Sequence, residues 1–203
     1  MRRTPVRSRW QSDEVDSGAT SISEAKQALR RSMRQVRGSI VDRHGRTTRM
    51  WADAGHVCDA VEAAVGRPIC VLAFVGVGNE PDTSALIALL HLRGHSVLLP
   101  RMEGEHLVAV THTAGDELRS GAYGIPEPTG PSVEPDTIDL VIVPGLAFTA
   151  DGRRLGQGGG FYDRFLPLVG PDCVTCGVGF AEQIVDDLPL EPHDRPLRML
   201  LTA

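Results

Sequence analysis

Lysine and aromatic side chains are both scarce in this sequence, and the shortage of aromatics limits the partners that the protein can bind. Lys26 is the only lysine among 21 basic residues. A codon preference for arginine explains that bias, since either cation serves on a solvated surface. Two Trp, two Tyr and five Phe are too few to build a platform on which single-stranded nucleic acid stacks. The formal net charge of −5 argues in the same direction, so we expect no nucleic-acid partner.

Long hydrophobic runs are also missing. No apolar stretch approaches the roughly 18 residues that a membrane helix needs, so no membrane partner is expected. Cys173 and Cys176 form a C-x-x-C pair, but their segment is typical of a buried strand, where residues three apart point to opposite faces. No second C-x-x-C completes a zinc site. We therefore expect all four cysteines to be reduced thiols in a cytoplasmic protein.

The two ends of the chain differ in character. The first ten residues, MRRTPVRSRW, are rich in arginine but lack the apolar segment of a secretory signal. We expect residues 1–20 to form a disordered extension. No linker divides the remainder, so residues 21–203 are expected to form one domain.

Apolar strand-like segments alternate with helical segments along that domain. Strands are predicted at 69–75, 96–100, 105–111, 138–145, 173–180 and 197–202. Helices are predicted at 21–38, 47–65, 84–93 and 161–168. Pro100 is expected to end its strand, and 118–135 to be loop.

This alternation predicts a three-layer α/β fold with a mostly parallel sheet and helices on both faces. Ligands bind such sheets beyond the carboxyl ends of the strands. Two loops at those ends carry glycines and polar residues, 76–83 and 144–160. We expect the functional site between them.

The second of these loops is suited to phosphate. Its glycines are Gly145, Gly152, Gly156, Gly158, Gly159 and Gly160. Consecutive glycines let backbone N–H groups turn toward an anion, and Arg153 and Arg154 add charge. Asp163, near the start of the next helix, could hold Mg²⁺ that bridges phosphates. The loop is not a Walker A motif, and Phe161 stands where a dinucleotide-binding Rossmann fingerprint needs glycine.

Three further features are ambiguous by themselves. Lys26 and Arg30 share one helix face, which is ordinarily just solvated. Glu80 could bind N–H groups of a heterocycle, whereas its neighbours Asp82 and Thr83 suit the cap of the following helix. Asp194 could be a second metal ligand or a solvated carboxylate.

Taken in order, these segments resemble the 5-formyltetrahydrofolate cyclo-ligase family, also called 5,10-methenyltetrahydrofolate synthetase. The resemblance covers about residues 24–203. It is carried by AKQALR, NEPDT, VLLPRM, GAYGIPEP, VPGLAFTADGRRLGQGGGFYDRFL and VGFAEQIVDDLPLEPHD. It implies a Rossmann-like fold that binds no dinucleotide, and a reaction that needs ATP and Mg²⁺. The formyl oxygen of 5-formyltetrahydrofolate takes the γ-phosphoryl group, N10 attacks, and phosphate leaves as 5,10-methenyltetrahydrofolate forms.

The resemblance also implies roles for particular residues. Catalysis would fall to Lys26, Arg154 and Tyr162. ATP would contact Lys26, Arg30, Arg154, Leu155, Gly156, Gln157, Gly158, Gly159, Gly160, Phe161 and Tyr162. The folate, with or without a polyglutamate tail, would contact Val75, Glu80, Gln157 and Phe161. Mg²⁺ would be held by Asp163 and Asp194. The protein is expected to be a monomer or a weak homodimer.

Four positions depart from the family pattern. Gln157 replaces a common Tyr, Arg or Lys, Phe161 replaces Tyr, and Phe74 and Gly76 stand where Tyr and Pro are frequent. These departures keep other readings open: a non-catalytic regulatory paralogue that binds folate and ATP, or an ATP-dependent enzyme for another formyl or amide substrate. An enzyme of sugar phosphates or acyl carriers is a further alternative.

Overall fold

The computed structural model describes residues 21–191 and 194–203, so the extension expected at 1–20 lies outside the described residues. The helices are α1 (Ile22–Ser39), α2 (Arg43–Val65), α3 (Ser84–Leu92) and α4 (Phe161–Phe165). The strands are β1 (Cys70–Leu72), β2 (Ser96–Glu103), β3 (His106–His112), β4 (Arg119–Ser120), β5 (Pro126–Glu127), β6 (Ser132–Val133), β7 (Leu140–Pro144), β8 (Ala147–Phe148), β9 (Arg154–Leu155), β10 (Val174–Gly179) and β11 (Met199–Thr202).

Seven strands form the central sheet in the order β11-β10-β7-β1-β2-β3-β6. The five from β11 to β2 run parallel, and at one edge β3 pairs antiparallel with β2 and β6 pairs antiparallel with β3. Side chains alternate across the sheet: Val71 packs with α2 and α3 on one face, and Leu72 packs with Phe165 of α4 on the other. The predicted three-layer, mostly parallel α/β fold is therefore confirmed.

Helix α1 lies beyond the carboxyl end of β7. Ser21 caps it through a reciprocal pair of hydrogen bonds with Glu24, a capping box that satisfies two backbone N–H groups. Its buried Met33 packs against Leu146 and Leu155, which belong to the chain that makes the β8–β9 ribbon. The helix thus covers the ribbon that leads into the glycine-rich loop.

Two predicted boundaries were wrong. Helix α2 begins at Arg43 and not near residue 47, because Asp42 provides a cap to the amide of Gly45. Strand β2 continues through Pro100 to Glu103. Ser96 and Leu98 hydrogen-bond toward β1, so the nitrogen of Pro100 faces the same side, where β1 has already ended and no ladder bond is lost.

The 118–135 segment is also more ordered than a plain loop. It contains the β4–β5 ribbon, one short 3-10 helix (Ala122–Gly124) and β6, which pairs with Ala109 and Val110 of β3, and a second 3-10 helix (Pro135–Thr137) begins at its end. Gly and Pro mark turns locally, but the pairing of so short a strand depends on distant residues, which the local pattern does not contain.

The C-x-x-C pair is divided by the sheet. Cys173 and Cys176 belong to different core clusters on opposite faces, and all four cysteines are unpaired. Burial raises the pKa of each of these two thiols to about 12. Neither is therefore a thiolate available for redox chemistry or metal binding at neutral pH. Within the part of the chain that is described, no helix combines the length and apolarity needed to cross a membrane.

Candidate functional site

A cleft with a volume of about 510 Å³ opens at the carboxyl ends of β1 and β7, a size typical of small-molecule sites. The residues to which the resemblance gives a role in catalysis or binding all line it: Lys26, Arg30, Val75, Glu80, Arg154, Leu155, Gly156, Gln157, Gly158, Gly159, Gly160, Phe161, Tyr162, Asp163 and Asp194. Arg153, which was also expected to add charge there, is not among the lining residues and pairs with Asp151 and Asp187. The fold brings these residues together from four separated segments. Their individual roles remain predictions.

The glycine-rich loop 156–160 connects β9 to α4. Gly158 and Gly160 have φ angles of 112° and 67°, which side-chain-bearing residues rarely adopt. Arg30 donates from Nε to the carbonyl of Gly156 at 3.0 Å, and its guanidinium lies 3.5 Å from the place a Cβ on Gly158 would occupy. Arg30 therefore fixes the loop as well as adding positive charge beside it.

Lys26 is buried in the cleft wall, with 5 % of its surface exposed. Its Nζ lies 2.6 Å from a carboxylate oxygen of Glu191 and 2.7 Å from one of Asp194. A buried ammonium is costly unless it is paired, and these two acids, from the far end of the chain, supply the pairing. The solvated-face interpretation is therefore wrong for Lys26.

Arg154 and Asp163 form a second buried pair. Nη2 of Arg154 lies 2.6 Å from Oδ1 of Asp163, and the guanidinium sits 5.6 Å from the ring centre of Tyr162. The hydroxyl of Tyr162 is buried and has no hydrogen-bond partner among the described residues. Burial raises the pKa of Tyr162 far above its usual value. Tyr162 is therefore a neutral hydroxyl that can donate a hydrogen bond to a ligand, and it is not a base.

Glu80 lies opposite this pair, in the loop that follows β1. Its Oε2 accepts a hydrogen bond from the amide of Val77, and its Oε1 accepts from Arg37 and from the side chain of Gln157, all at 3.3 Å. Asp82 accepts from the amide and hydroxyl of Ser84 at the start of α3. The acids of this loop thus separate into Glu80, which faces the cleft, and Asp82, which caps a helix.

Two neighbours explain the shape of this loop. Thr83 donates to the carbonyl of Phe74 and accepts from the amide of Gly76, which closes the turn. A Cβ on Gly76 would lie 2.1 Å from the carbonyl oxygen of Pro81. This loop conformation therefore admits only glycine at position 76, one of the four departures from the family pattern.

The carboxylates at the cleft offer only oxygen ligands. No cluster of three or more His, Cys, Asp or Glu side chains suited to a metal ion occurs in residues 21–191 and 194–203. Magnesium ordinarily takes one or two protein carboxylates and completes its shell with water and substrate phosphates. Asp163 and Asp194 fit that pattern in ligand type and number.

Sequence reasoning assigned no role to several residues that line the cleft: Phe74, Val77, Pro100, Met102, Tyr123, Ile125, Glu127, Pro144 and Glu191. Tyr123 has a positive φ of 59° and meets Phe161 edge to face at 5.8 Å. Glu127 is buried and accepts from the amide of Met102. The signal for both was the segment GAYGIPEP, and the signal for Met102 was the segment VLLPRM.

Known proteins share this architecture. The family model described as "5-formyltetrahydrofolate cyclo-ligase family" matches residues 22–203. The 5-formyltetrahydrofolate cyclo-ligase of Mycolicibacterium smegmatis is 30% identical over 190 residues, covering 90% of this chain and 93% of its own. The Escherichia coli K12 protein of the same name is 34% identical over 140 residues, covering 65% of this chain and 76% of its own.

A solved structure agrees. The NMR structure of Aquifex aeolicus 5,10-methenyltetrahydrofolate synthetase has a TM-score of 0.74 and 28% identity, covering 87% of this chain and 89% of its own. The resemblance inferred from the motifs is therefore confirmed, and this chain belongs to the 5-formyltetrahydrofolate cyclo-ligase family.

Proposed function

We propose that this protein is a ligase that converts 5-formyltetrahydrofolate and ATP to 5,10-methenyltetrahydrofolate, ADP and phosphate. The proposal rests on one observation, a single cleft whose two parts are lined by different kinds of residue. Its phosphate half consists of Lys26, Arg30, Arg154, the loop 156–160, Asp163 and Asp194. Its folate half consists of Val75, Glu80, and the side chains of Gln157 and Phe161.

The reaction needs both substrates in one cleft. The formyl oxygen is an amide oxygen and leaves poorly until it is phosphorylated. Transfer of the γ-phosphoryl group from ATP to that oxygen releases ADP and activates the formyl carbon. N10 then attacks this carbon, the five-membered ring closes, and the C–O bond breaks with release of phosphate. Such phosphoryl transfer depends mainly on positioning and on charge neutralisation.

The phosphate half supplies that positioning. The glycines of 156–160 would let backbone amides turn toward an incoming phosphate, since Gly156, Gly158, Gly159 and Gly160 have no Cβ. Lys26 and Arg154 are already in the cleft wall, each paired with a carboxylate. Bound phosphates would take over part of that pairing, so the two cations need not be moved or desolvated when ATP arrives.

Asp163 and Asp194 are proposed to hold the Mg²⁺ that accompanies ATP, since each is a cleft carboxylate paired with one of the phosphate-binding cations. Bound there, Mg²⁺ would neutralise charge on the phosphate oxygens during transfer. Lys26 and Arg154 would then be available to pair with phosphate, and Glu191 would remain beside Lys26.

The folate half supplies recognition of the heterocycle. Glu80 presents a carboxylate to which the N–H groups of a pterin can donate. Val75 and Phe161 supply apolar contact. The buried hydroxyl of Tyr162, which has no partner among the described residues, can donate to a ligand oxygen near the reacting group.

A coupled assay tests the proposal. Purified protein with 5-formyltetrahydrofolate, ATP and Mg²⁺ should generate the absorbance of the methenyl product, and omission of ATP should abolish it. Folded protein that binds both ligands without turnover would contradict catalysis and favour the regulatory alternative motivated by Gln157 and Phe161. Turnover of a different formyl compound alone would contradict the substrate assignment.

We also propose a cytoplasmic location, which the four unpaired thiols support, and a monomer or weak homodimer in solution. Light scattering over a range of concentrations measures the oligomeric state directly. Comparing mono- and polyglutamylated 5-formyltetrahydrofolate as substrates tests whether the tail contributes to binding.

A further inference from the structure

Arg37 lies in the last turn of α1, the helix that also carries Lys26 and Arg30. Only 7 % of its surface is exposed. Its Nη1 lies 3.3 Å from Oε1 of Glu80 and 3.4 Å from the carbonyl oxygen of Gly145. Arg37 is not among the residues that line the cleft within the described part of the chain. Arg37 therefore contacts Glu80 from the side that faces away from the cleft.

Stability does not explain a guanidinium at this position. Its Nε is buried and has no hydrogen-bond partner among the described residues, and burial lowers the pKa of Arg37 despite the opposing charge of Glu80. Burying an ion pair costs desolvation that the attraction seldom repays, so a buried pair is weak support for stability. One turn earlier on α1, Met33 is buried without any such cost.

The guanidinium of Arg37 instead holds the carboxylate of Glu80 in a fixed position. Glu80 is held from two sides, with Val77 donating to Oε2, and Arg37 and Gln157 donating to Oε1. Arg37 is the charged one of these donors, and a charge-assisted hydrogen bond is roughly twice as strong as a neutral one. The other two donors are a loop amide and a side chain that is itself at the cleft surface. Without Arg37 the carboxylate would depend on these two neutral donors.

We infer that Arg37 is a positioning residue that holds the Glu80 carboxylate in the orientation in which it meets the folate substrate. The inference rests on the proposed function, since it assumes that Glu80 binds folate. It assigns Arg37 no contact with substrate and no part in the phosphate half.

The position of Arg37 on α1 also links the two halves of the cleft. Lys26 and Arg37 are eleven residues apart on one helix, which corresponds to about 16 Å along its axis. The guanidinium joins the C-terminal turn of α1 both to the Glu80 loop and, through Gly145, to the chain after β7. Removing it should loosen Glu80 while leaving Lys26 and Arg30 in place, because the capping box holds the other end of the helix.

A double-mutant cycle of Arg37→Met and Glu80→Ala tests the inference. Calorimetry measures the Kd of 5-formyltetrahydrofolate for the wild type, both single variants and the double variant, and steady-state rates give KM for each substrate. Arg31→Met, an exposed arginine on the same helix, is the matched control. Arg37→Lys retains the charge without the planar fork.

Arg37→Met is expected to raise the Kd and KM for 5-formyltetrahydrofolate about 10- to 100-fold, the range for a lost hydrogen bond to a charged group. KM for ATP should change less than about twofold, and Arg37→Lys should recover part of the loss. In the Glu80→Ala background the same substitution should add less than about a threefold change, because residues that act through one contact are not additive. Arg31→Met should match the wild type.

Two results would overturn the inference and indicate a general structural role. One is that the fold-changes of the two single variants multiply in the double variant. The other is that Arg37→Met raises KM for ATP as much as KM for 5-formyltetrahydrofolate. If Arg37→Met does not fold, the cycle is completed with Arg37→Lys and judged by the same criteria. A wild type that binds 5-formyltetrahydrofolate without turnover would contradict the proposed function, but the Kd cycle would still decide the role of Arg37. A wild type that does not bind it would overturn both.

Discussion

The two halves of the cleft hold their charged side chains in different ways. In the phosphate half, the cations Lys26 and Arg154 are paired with carboxylates that could also bind a metal. In the folate half, the carboxylate of Glu80 is held by hydrogen bonds from neighbouring groups of the protein. Lys26 lies against Glu191 and Asp194, and Arg154 against Asp163. Glu80 is fixed by Val77 and Arg37. The phosphate half is thus arranged to exchange partners when charged ligands arrive, and the folate half is arranged to stay as it is.

The difference has a physical origin in the ligands. Triphosphate and Mg²⁺ bring strong charges, so the pairing within the protein can be replaced by pairing with the ligand. A pterin brings neutral N–H groups, whose binding depends on hydrogen bonds to an oriented carboxylate and not on the attraction of two full charges. Recognition of such a ligand depends on a carboxylate that is already oriented, because orienting it at binding would cost affinity.

Removing Lys26 should produce the largest effect and break the phosphate half alone. Lys26→Ala deletes the buried ammonium and leaves Glu191 and Asp194 without it, so kcat/KM for ATP should fall about 100-fold or more. The affinity for 5-formyltetrahydrofolate should change much less. Steady-state rates and calorimetry measure both, with Arg31→Ala as the exposed control on the same helix. An equal loss of affinity for both ligands would contradict the division of the cleft.

Removing Glu80 should give the reverse pattern. Glu80→Ala should raise KM for 5-formyltetrahydrofolate about 10- to 100-fold, since a charge-assisted hydrogen bond is lost, and should leave KM for ATP nearly constant. Asp82→Ala, two residues further along, is the matched control for the loop. If Asp82→Ala impaired folate binding as strongly as Glu80→Ala, the assignment of these two acids would be wrong.

Asp82 should affect stability and not binding. It accepts hydrogen bonds from Ser84 at the start of α3, and those bonds lower its pKa. The capping contribution is therefore present above the unfolded pKa and is lost as pH falls through the lower folded pKa. Asp82→Ala should cost about 1 kcal/mol at neutral pH. Denaturant unfolding should show the difference from wild type shrinking in acid, and a difference that grew would contradict this sign.

Substitutions of two glycines test the same division between the phosphate half and the folate half. Gly158→Ala places a side chain at a φ of 112° in the phosphate loop, and should raise KM for ATP about 10-fold, for a strain of order 1–3 kcal/mol. Gly76→Ala meets the carbonyl of Pro81 and should instead weaken folate binding by displacing the Glu80 loop. Gly66→Ala, at the end of α2 with open space around it, controls for the strain of a positive φ away from the cleft. Equal effects of all three substitutions would show that only global stability had changed.

The smallest effect is expected for the buried thiols. Cys173 and Cys176 are divided by the sheet and lie outside the cleft lining in the described chain. Cys173→Ala and Cys176→Ala should each cost about 1 kcal/mol of stability from the lost packing and leave kcat/KM within about twofold. Loss of activity in a folded variant would contradict a purely structural role.

The phosphate half could be predicted from sequence because its signals are local. The glycine run and Asp163 adjoin one another, and the cap at Ser21 marks the helix that carries Lys26 and Arg30. The motif resemblance supplied Glu80 and Asp194. What local patterns could not give are contacts between distant segments: Arg37 behind Glu80, Glu191 beside Lys26, and Tyr123 beside Phe161.

The fold shows the same limit. Alternating apolar runs predicted the parallel core, but β2 continued past Pro100 because its neighbour had ended, which only the sheet order reveals. Strand β3 follows β2 in a hairpin, whereas β6 pairs with β3 across the segment that holds β4 and β5, which no local pattern indicates.

The central claim is that one cleft joins an ATP site to a folate site for a single reaction. The most direct test measures methenyl product and inorganic phosphate together in one reaction of wild-type protein with 5-formyltetrahydrofolate, ATP and Mg²⁺. The account predicts one phosphate released for each methenyl group formed, and no product when ATP is withheld. Product formation without ATP, or phosphate release that does not depend on the folate, would contradict it.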